Sequence, residues 1–465
     1  MENSTKSWDD KSTFLFLQLG TMLEYFDLML FVHMAVVLNN HFFPQNDPNI
    51  TAVLSAIAFC STYVFRPFGA WFFGYIGDKY GRKPTVTITM LMMGIPCGIL
   101  TLLPTYNDWG IWATIIVTLC RIVQGMSSLG EIIGAELYLI ETLKKPQQYY
   151  AIVTLAISSA FGSLFALILT SFAAMSSGNN WRLAFGFAFG IALAGSAART
   201  RLRETPEFSN MRLRLKNALE QGDQKETSSI HKQLSNETAH TQGQNHKTLL
   251  MYLLLQCMWP VCFYFAYMYC GDLLKILCGY TSAQMVVQNL LVAVAQIIGL
   301  FFVAVTLRFV HPLTIVQVKL AIFALCVVLC PFILESIYAS SDPLENAYNG
   351  QKIFLIQCLF LIFAPSSGQL LSPLVYAHFP ILKRFTYASV PYAFSRALMY
   401  PIASFGLIYA IKGFGNYVGL WLIFAPVTIA FGVGLAYFIK LEKLTLHYRD
   451  FSFLEPFSKN KILSK

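Results

Sequence analysis

Several charged residues stand inside long apolar stretches of the sequence, among them Glu24, Asp27, Arg121 and Arg396. A charged side chain within a membrane-spanning helix is costly, so it usually faces a cavity or an opposite charge and serves a function. Glu24 and Asp27 are three residues apart and therefore share one face of a helix. Carboxylates bind and release protons, and guanidinium groups bind carboxylates. These residue types therefore predict a site that couples a proton to an acidic or zwitterionic solute.

Helix geometry places these groups at a similar depth. At about 1.5 Å per residue, Glu24 lies roughly 15 Å from the inner end of its apolar stretch, and Arg121 lies roughly 18 Å from the outer end of its own. Arg396 lies roughly 15 Å into a later stretch by the same arithmetic. The carboxylates and guanidinium groups can therefore meet near the centre of a bilayer.

We expect Asp27 or Glu24 to carry the proton, and Arg121, together with Arg396, to contact a substrate carboxylate. Gln124 lies on the same stripe of its helix as Arg121 and is expected to contribute to the binding site. Arrival of substrate at Arg121 would release a carboxylate paired with it, and that carboxylate would then take up a proton. The alternative is a static buried pair between Glu24 and Arg121 that only holds two helices together.

Aromatic residues accompany the charges. Tyr25 and Tyr392 are expected to line the cavity, where an aromatic wall would suit a quaternary ammonium group. The 10 cysteines lie within or beside apolar runs and include no Cys-x-x-Cys pair, so we predict neither a metal nor a redox site. The sequence likewise predicts no cofactor.

The composition indicates an integral membrane protein. Of 465 residues, 56% are apolar and only 12% are charged, whereas soluble proteins average about 25% charged residues. The net charge of +9 does not indicate a nucleic-acid partner, because the basic residues are scattered through short loops. The chain contains no nucleophile motif, metal cluster or nucleotide-binding loop, so we do not predict an enzyme.

The apolar runs predict an all-α integral membrane fold with twelve transmembrane helices in two six-helix halves. We predict an N-terminal half over 1–203, a cytoplasmic linker over 204–247, a C-terminal half over 248–440 and a cytoplasmic tail over 441–465. The predicted spans are 14–38, 51–73, 84–104, 109–141, 148–175, 183–199, 248–271, 283–307, 313–337, 352–376, 386–411 and 416–440.

The basic residues predict the orientation of the chain. With the N-terminus inside, the inner segments hold 25 of the 33 Lys and Arg residues, the outer segments hold 4, and the other 4 lie within apolar runs. Positively charged loops remain in the cytoplasm. Both termini are therefore predicted to be cytoplasmic.

A charged turn, Gly74–Lys83 with the sequence GYIGDKYGRK, separates the second and third spans. Its glycines allow two helices to approach closely and the backbone to turn tightly. This turn resembles the signature loop of the major facilitator superfamily. The resemblance implies a cytoplasmic latch of Asp78, Arg82, Lys83 and Glu141 that holds the outward-facing state, with exposed ion pairs worth about 0–1 kcal/mol each.

We expect a second inner gate between Arg66 and Glu131.

Further stretches are similar to the metabolite:proton symporters, the group that contains the proline/betaine, α-ketoglutarate, citrate and shikimate permeases. These stretches are LEYFD at 23–27, FRPFG at 65–69, RIVQG at 121–125, RETPEF at 203–208 and the FP…KRFT segment at 379–386.

This resemblance implies proton-coupled symport of a small carboxylate or zwitterionic solute by alternating access. It also implies a multi-pass protein of a bacterial cytoplasmic membrane that functions as a monomer, with the solute, protons and lipid as its partners. A drug or metabolite efflux antiporter on the same fold is one alternative, although the Gly-Pro element of such antiporters is missing from the fifth span. A solute sensor that does not transport is the other.

Overall fold

The computed structural model describes residues 2–44, 62–175, 181–200, 202, 204–220, 242–338, 346–366 and 369–445. Every regular element within these ranges is helical. The predicted all-α fold class is confirmed. Part of the predicted linker (221–241) and most of the predicted tail (446–465) lie outside the described residues.

The first half contains six long helices, which correspond in order to the predicted spans. They are α1 (Glu2–Phe42), α2 (Arg66–Lys79), α3 (Arg82–Leu102), α4 (Ile111–Thr142), α5 (Gln147–Met175) and α6 (Trp181–Arg199). Helix α4 has 32 residues and is longer than the roughly 20 residues that a bilayer requires. Part of the second predicted span, 51–61, lies outside the described residues.

The second half follows a shorter helix, α7 (Pro206–Glu220). Its first span is interrupted by a π-helical turn (Phe265–Tyr269), and its last helix is broken at Gly415, where φ is 79° and ψ is 171°. The helices are α8 (Gln242–Gln256), α9 (Met258–Tyr264), α10 (Cys270–Cys278), α11 (Ser282–Thr306), α12 (Pro312–Tyr338), α13 (Asn346–Phe363), α14 (Ser372–Tyr376) and α15 (Arg384–Thr445).

Length and hydropathy identify the membrane-spanning helices. Among the described residues, 9 helical segments are long and apolar enough to cross a bilayer. Two shorter apolar helices, Trp181–Ala197 and Tyr348–Phe363, coincide with the predicted sixth and tenth spans. The break at Gly415 separates the eleventh span from the twelfth. The predicted total of twelve is consistent with these helices.

Small residues bring the helices into contact. Gly69, Gly125 and Gly162 each lie where a Cβ atom would overlap the backbone of a neighbouring helix. Apolar side chains gain little by leaving lipid for another helix, so close packing across small residues is a main source of association in membranes. The two halves meet along α2 with α15 and along α5 with α11, and the candidate sites lie beside this seam.

Candidate functional site

Asp27 is the centre of a buried polar cluster between α1, α3 and α4. Its Oδ2 accepts a hydrogen bond from Arg121 Nη1 at 3.1 Å, and its Oδ1 accepts one from Gln124 Nε2 at 2.8 Å. Arg121 Nη1 also donates to Gln124 Oε1 at 2.7 Å, and the Cys97 thiol lies 3.4 Å from Asp27 Oδ1. The structure therefore joins three residues that were predicted separately from two spans.

This cluster is sealed from water. Asp27 and Arg121 expose 3% and 1% of their surface, and the Arg121 guanidinium lies 3.8 Å from the centre of the Phe31 ring. Removing one partner from such a pair is strongly unfavourable, because a charge is left without compensation in a low-dielectric site. Protonation of Asp27 would therefore remove the negative charge that holds the Arg121 guanidinium.

Glu24 pairs with Arg66 at 3.6 Å rather than with Arg121. The predicted pair between Arg66 and Glu131 is wrong. Arg66 begins α2, so it stands roughly 20 Å from Lys79 at the loop end of that helix. It therefore lies level with its partner Glu24 and not at the loop end of α2, where the predicted gate would lie.

Glu131 is instead neutralised by Arg199 of α6. Arg199 Nη1 lies 2.7 Å from both carboxylate oxygens of Glu131, and it also donates to the Val86 carbonyl at 2.7 Å. Thr89 Oγ1 donates to Glu131 Oε1 at 3.0 Å. Sequence reasoning missed Arg199, because an arginine at the end of a span is counted as a loop charge. Glu131 could have revealed this partner, because a carboxylate within an apolar stretch requires a nearby cation.

A cavity of about 50 Å³ lies between the two halves. Arg396 faces it, donates to Gln256 Oε1 at 2.9 Å, and stacks 3.4 Å from the centre of the Tyr392 ring. Such a volume holds a few water molecules, so the cavity must widen to admit a solute. Its lining includes Tyr25, Met29, Gln256, Trp259, Phe263, Tyr267, Gln296 and Arg396.

The predicted substrate-binding residues therefore occupy two layers. Tyr25 and Arg396 line the cavity, and Tyr392 packs against Arg396. Arg121 and Gln124 lie behind α1, in the cluster with Asp27. Because α1 carries Tyr25 on one face and Asp27 on another, this single helix connects the cavity with the buried ion pair.

The Gly74–Lys83 loop binds the start of α15 in the second half. Asp78 accepts hydrogen bonds from Phe385 N at 3.0 Å, Thr386 N at 3.1 Å and Thr386 Oγ1 at 2.6 Å. Gly77 leaves space for the Phe385 ring, which a Cβ atom would strike. Burial raises the pKa of Asp78 to about 6, although Thr386 and Arg82 act in the opposite direction. The carboxylate is therefore mainly ionised at neutral pH, as suits a helix N-terminus.

Arg82 extends this contact. Its guanidinium bonds Glu141 at 2.7 and 3.0 Å and the Ile381 carbonyl of the second half at 2.9 Å. Arg384 of α15 reaches the same Glu141 at 3.2 Å. We call Asp78, Arg82, Glu141 and Arg384 the closure network. The expectation of weak exposed pairs is wrong, because the side chains of Arg82 and Glu141 are both 0% exposed.

Lys83 contributes through its backbone. Glu204 accepts hydrogen bonds from Arg82 N at 2.8 Å and Lys83 N at 3.2 Å, and so caps the start of α3. Gly81 has a φ of 113°, and the Glu204 carboxylate fills the space beside it. The Lys83 side chain makes no ion pair within the described part of the chain. Sequence reasoning missed Glu204 and Arg384, although both lie in stretches that carry the family resemblance.

A comparison with protein families decides where this architecture belongs. The model of the sugar (and other) transporter family matches residues 14–446. The chain belongs to this family. Its members are multi-pass membrane transporters rather than enzymes, in agreement with the sequence-based predictions.

Curated relatives are named for zwitterionic solutes. The proline/betaine transporter of Salmonella typhimurium is 29% identical over 320 residues, which cover 66% of this chain and 62% of the relative. The glycine betaine/proline/ectoine/pipecolic acid transporter OusA of Dickeya dadantii is 32% identical over 198 residues, covering 41% and 39%. The chain thus matches less than two thirds of the length of these relatives.

Solved structures share the fold. The major facilitator superfamily proton:xylose symporter XylE, bound to 6-bromo-6-deoxy-D-glucose, superposes with a TM-score of 0.70 over 93% of this chain and 96% of that one. Sequence identity is 17%, so the likeness concerns the fold alone. It confirms the predicted major facilitator architecture.

Proposed function

We propose that this chain is a proton-coupled symporter that takes up a small zwitterionic or carboxylate solute by alternating access. The observation that carries the proposal is the buried cluster of Asp27, Arg121 and Gln124, one helix layer behind a cavity that Arg396 lines. The names of the curated relatives favour a solute of the proline or betaine type.

Solute recognition would use the two ends of a zwitterion. The Arg396 guanidinium supplies a charge-assisted contact for the carboxylate. Tyr25, Trp259, Phe263 and Tyr267 surround the same cavity, and aromatic faces attract an ammonium group. A zwitterion therefore matches both the cation and the aromatic wall of this cavity.

Proton binding at Asp27 would release Arg121 from its counter-charge. The neutral acid keeps hydrogen bonds to its neighbours but no longer holds the guanidinium electrostatically. Because Tyr25 and Met29 of the same helix face the cavity, movement of α1 would connect solute binding with this change. Glu24, paired with Arg66, is the alternative proton carrier.

Alternating access would open and close the end of the molecule that carries the closure network. This network joins the first half to α15 of the second half, so its formation closes that end and its rupture opens it. The rocking of two halves about a central site is the general motion of such transporters.

We propose that the closed end faces the cytoplasm, that both termini lie there, and that the monomer is the functional unit in a bacterial cytoplasmic membrane. The excess of basic residues in the loops on that side supports this orientation. The central cavity is lined by residues of one chain, which supports a functional monomer.

Purified protein in proteoliposomes tests the proposal. We expect an inward proton gradient to drive accumulation of proline or glycine betaine, with no accumulation when the gradient is collapsed by an ionophore. Citrate and xylose serve as comparison solutes of different charge. Solute binding in a thermal-shift assay without transport would indicate a sensor. Solute export driven by an inward proton gradient would indicate an antiporter.

A further inference from the structure

Glu136 of α4 is a buried carboxyl group at the seam between the two halves. It is 1% exposed, and Tyr376 Oη of α14 donates to its Oε2 at 2.8 Å. Tyr252 Oη of α8 lies 3.0 Å from Tyr376 Oη. The side-chain amide of Gln369, with its NH₂ turned to the carboxyl group, also donates to it. The Ser372 side chain of α14 also hydrogen-bonds the carboxyl group. Tyr376, Ser372 and Gln369, together with Tyr252 behind Tyr376, all belong to the second half.

Glu136 differs from the other buried acids of the membrane region, because no Lys, Arg or His nitrogen lies within 4 Å of it in the described part of the chain. Asp27, Glu24 and Glu131 are each paired with an arginine. An ionised carboxylate without a paired cation is costly to bury, so this environment favours the neutral acid. The titratable and charged groups that act on it are Tyr376 of α14, Tyr252 of α8 and Arg396 of α15.

The site satisfies the acid in both protonation states. Hydroxyl groups donate one hydrogen bond and accept others, and they rotate to suit their partners. Tyr376 donates to the ionised carboxylate, and it accepts from the neutral acid when its own hydrogen turns to Tyr252. The two tyrosines therefore form a short chain that can reverse without movement of the backbone.

Two further observations single out this place. Gln369 has a φ of 47°, and a non-glycine residue in this region is under strain that often accompanies function. Beside it lies a cavity of about 20 Å³ that shares Gln256, Ser366 and Gln369 with the central cavity. This volume holds one water molecule, so space for water continues from the central cavity to Gln369 and Tyr252.

We propose that Glu136 is a second proton-binding site, which holds a proton while the halves are closed at the closure network and releases it when they separate there. Separation removes Tyr376 and Gln369 from Glu136 and admits water. One O–H bond of the carboxyl group then breaks, the proton passes to cytoplasmic water, and the carboxylate remains solvated. The direction of net proton flow rests on the proposed function, but the proton site itself does not.

Infrared spectroscopy of the reconstituted full chain at pH 7 tests the site directly. We expect a carboxylic acid C=O band that disappears in Glu136→Gln and persists in Glu335→Gln, a matched change at an exposed glutamate. Tyr376→Phe should shift this band in frequency, because it removes the hydrogen-bond partner but keeps the acid. Identical spectra for wild type and Glu136→Gln, or a band unmoved by Tyr376→Phe, would overturn the proposal.

A distance measurement tests the link with opening. Spin labels on a ketone-bearing amino acid at Tyr80 and Phe309, which are 53% and 70% exposed, avoid the native cysteines and report the separation of the halves. In the wild type at pH 8, ionisation of Glu136 in the open state stabilises that state, and a glutamine cannot ionise. Glu136→Gln should therefore raise the ratio of closed to open protein at least about tenfold. Glu335→Gln should leave the ratio unchanged.

An unchanged ratio in Glu136→Gln would refute the coupling of this site to opening. Neither measurement requires transport. A chain that passes both tests but accumulates no solute would contradict the proposed function alone. A chain that accumulates solute but fails both tests would contradict the role of Glu136 alone.

Discussion

Replacement of Asp27 by Asn separates proton coupling from solute movement. A gradient of two pH units supplies about 2.7 kcal/mol for each proton, which corresponds to roughly 100-fold accumulation of a neutral solute when one proton accompanies it. Asp27→Asn keeps the size of the side chain and its contact with Gln124 but cannot be protonated and deprotonated. We expect accumulation to fall to about onefold, while exchange of labelled for unlabelled solute continues.

The assay compares both activities in the same proteoliposomes. The change also leaves Arg121 buried without its counter-charge, which costs up to about 3–5 kcal/mol of stability. Solute exchange is therefore the necessary evidence that the variant is folded. Glu24→Gln is the informative comparison, because Glu24 has a separate partner in Arg66.

The outcome distinguishes the two carboxylates. Wild-type accumulation by Asp27→Asn would refute the assignment of the proton to Asp27. If Glu24→Gln alone loses accumulation, the proton belongs to Glu24. If neither variant is impaired, the coupling scheme based on this cluster is wrong.

Three further predictions concern other sites. Arg396→Met should raise the KM for a carboxylate-bearing solute by roughly 10- to 100-fold, the value of one charge-assisted contact, with little change in the thermal midpoint of the solute-free protein. Arg199→Met should lower the free energy of unfolding by about 3–5 kcal/mol, and the double variant with Glu131→Gln should recover much of this loss in denaturant titrations. Arg384→Met should shift the distance between labelled halves toward the open state, whereas its exposed neighbour Lys383→Met should not; equal shifts would contradict the role of the closure network.

Much of the site was predictable from residue types and spacing. The charges within apolar runs identified Asp27, Glu24 and Arg121 because their burial requires compensation. The family resemblance at the Gly74–Lys83 turn implied the contact of Arg82 with Glu141, whereas the contact of Asp78 with the start of α15 was not predicted. The pairing of these charges was not predictable. Arg66 and Glu131 were expected to bind each other, but Arg66 binds Glu24 and Glu131 binds Arg199.

The sequence alone determined that this chain crosses a membrane many times, in two halves, with a few charges that hydrocarbon does not tolerate. These properties follow from composition and run length, which act locally along the chain. Only the tertiary structure decided which charge meets which, that Arg121 lies behind the cavity while Arg396 faces it, and that no cation of the described residues lies within 4 Å of Glu136. Rotation of each helix about its axis and its depth against its neighbours set these pairings, and both depend on packing between distant segments.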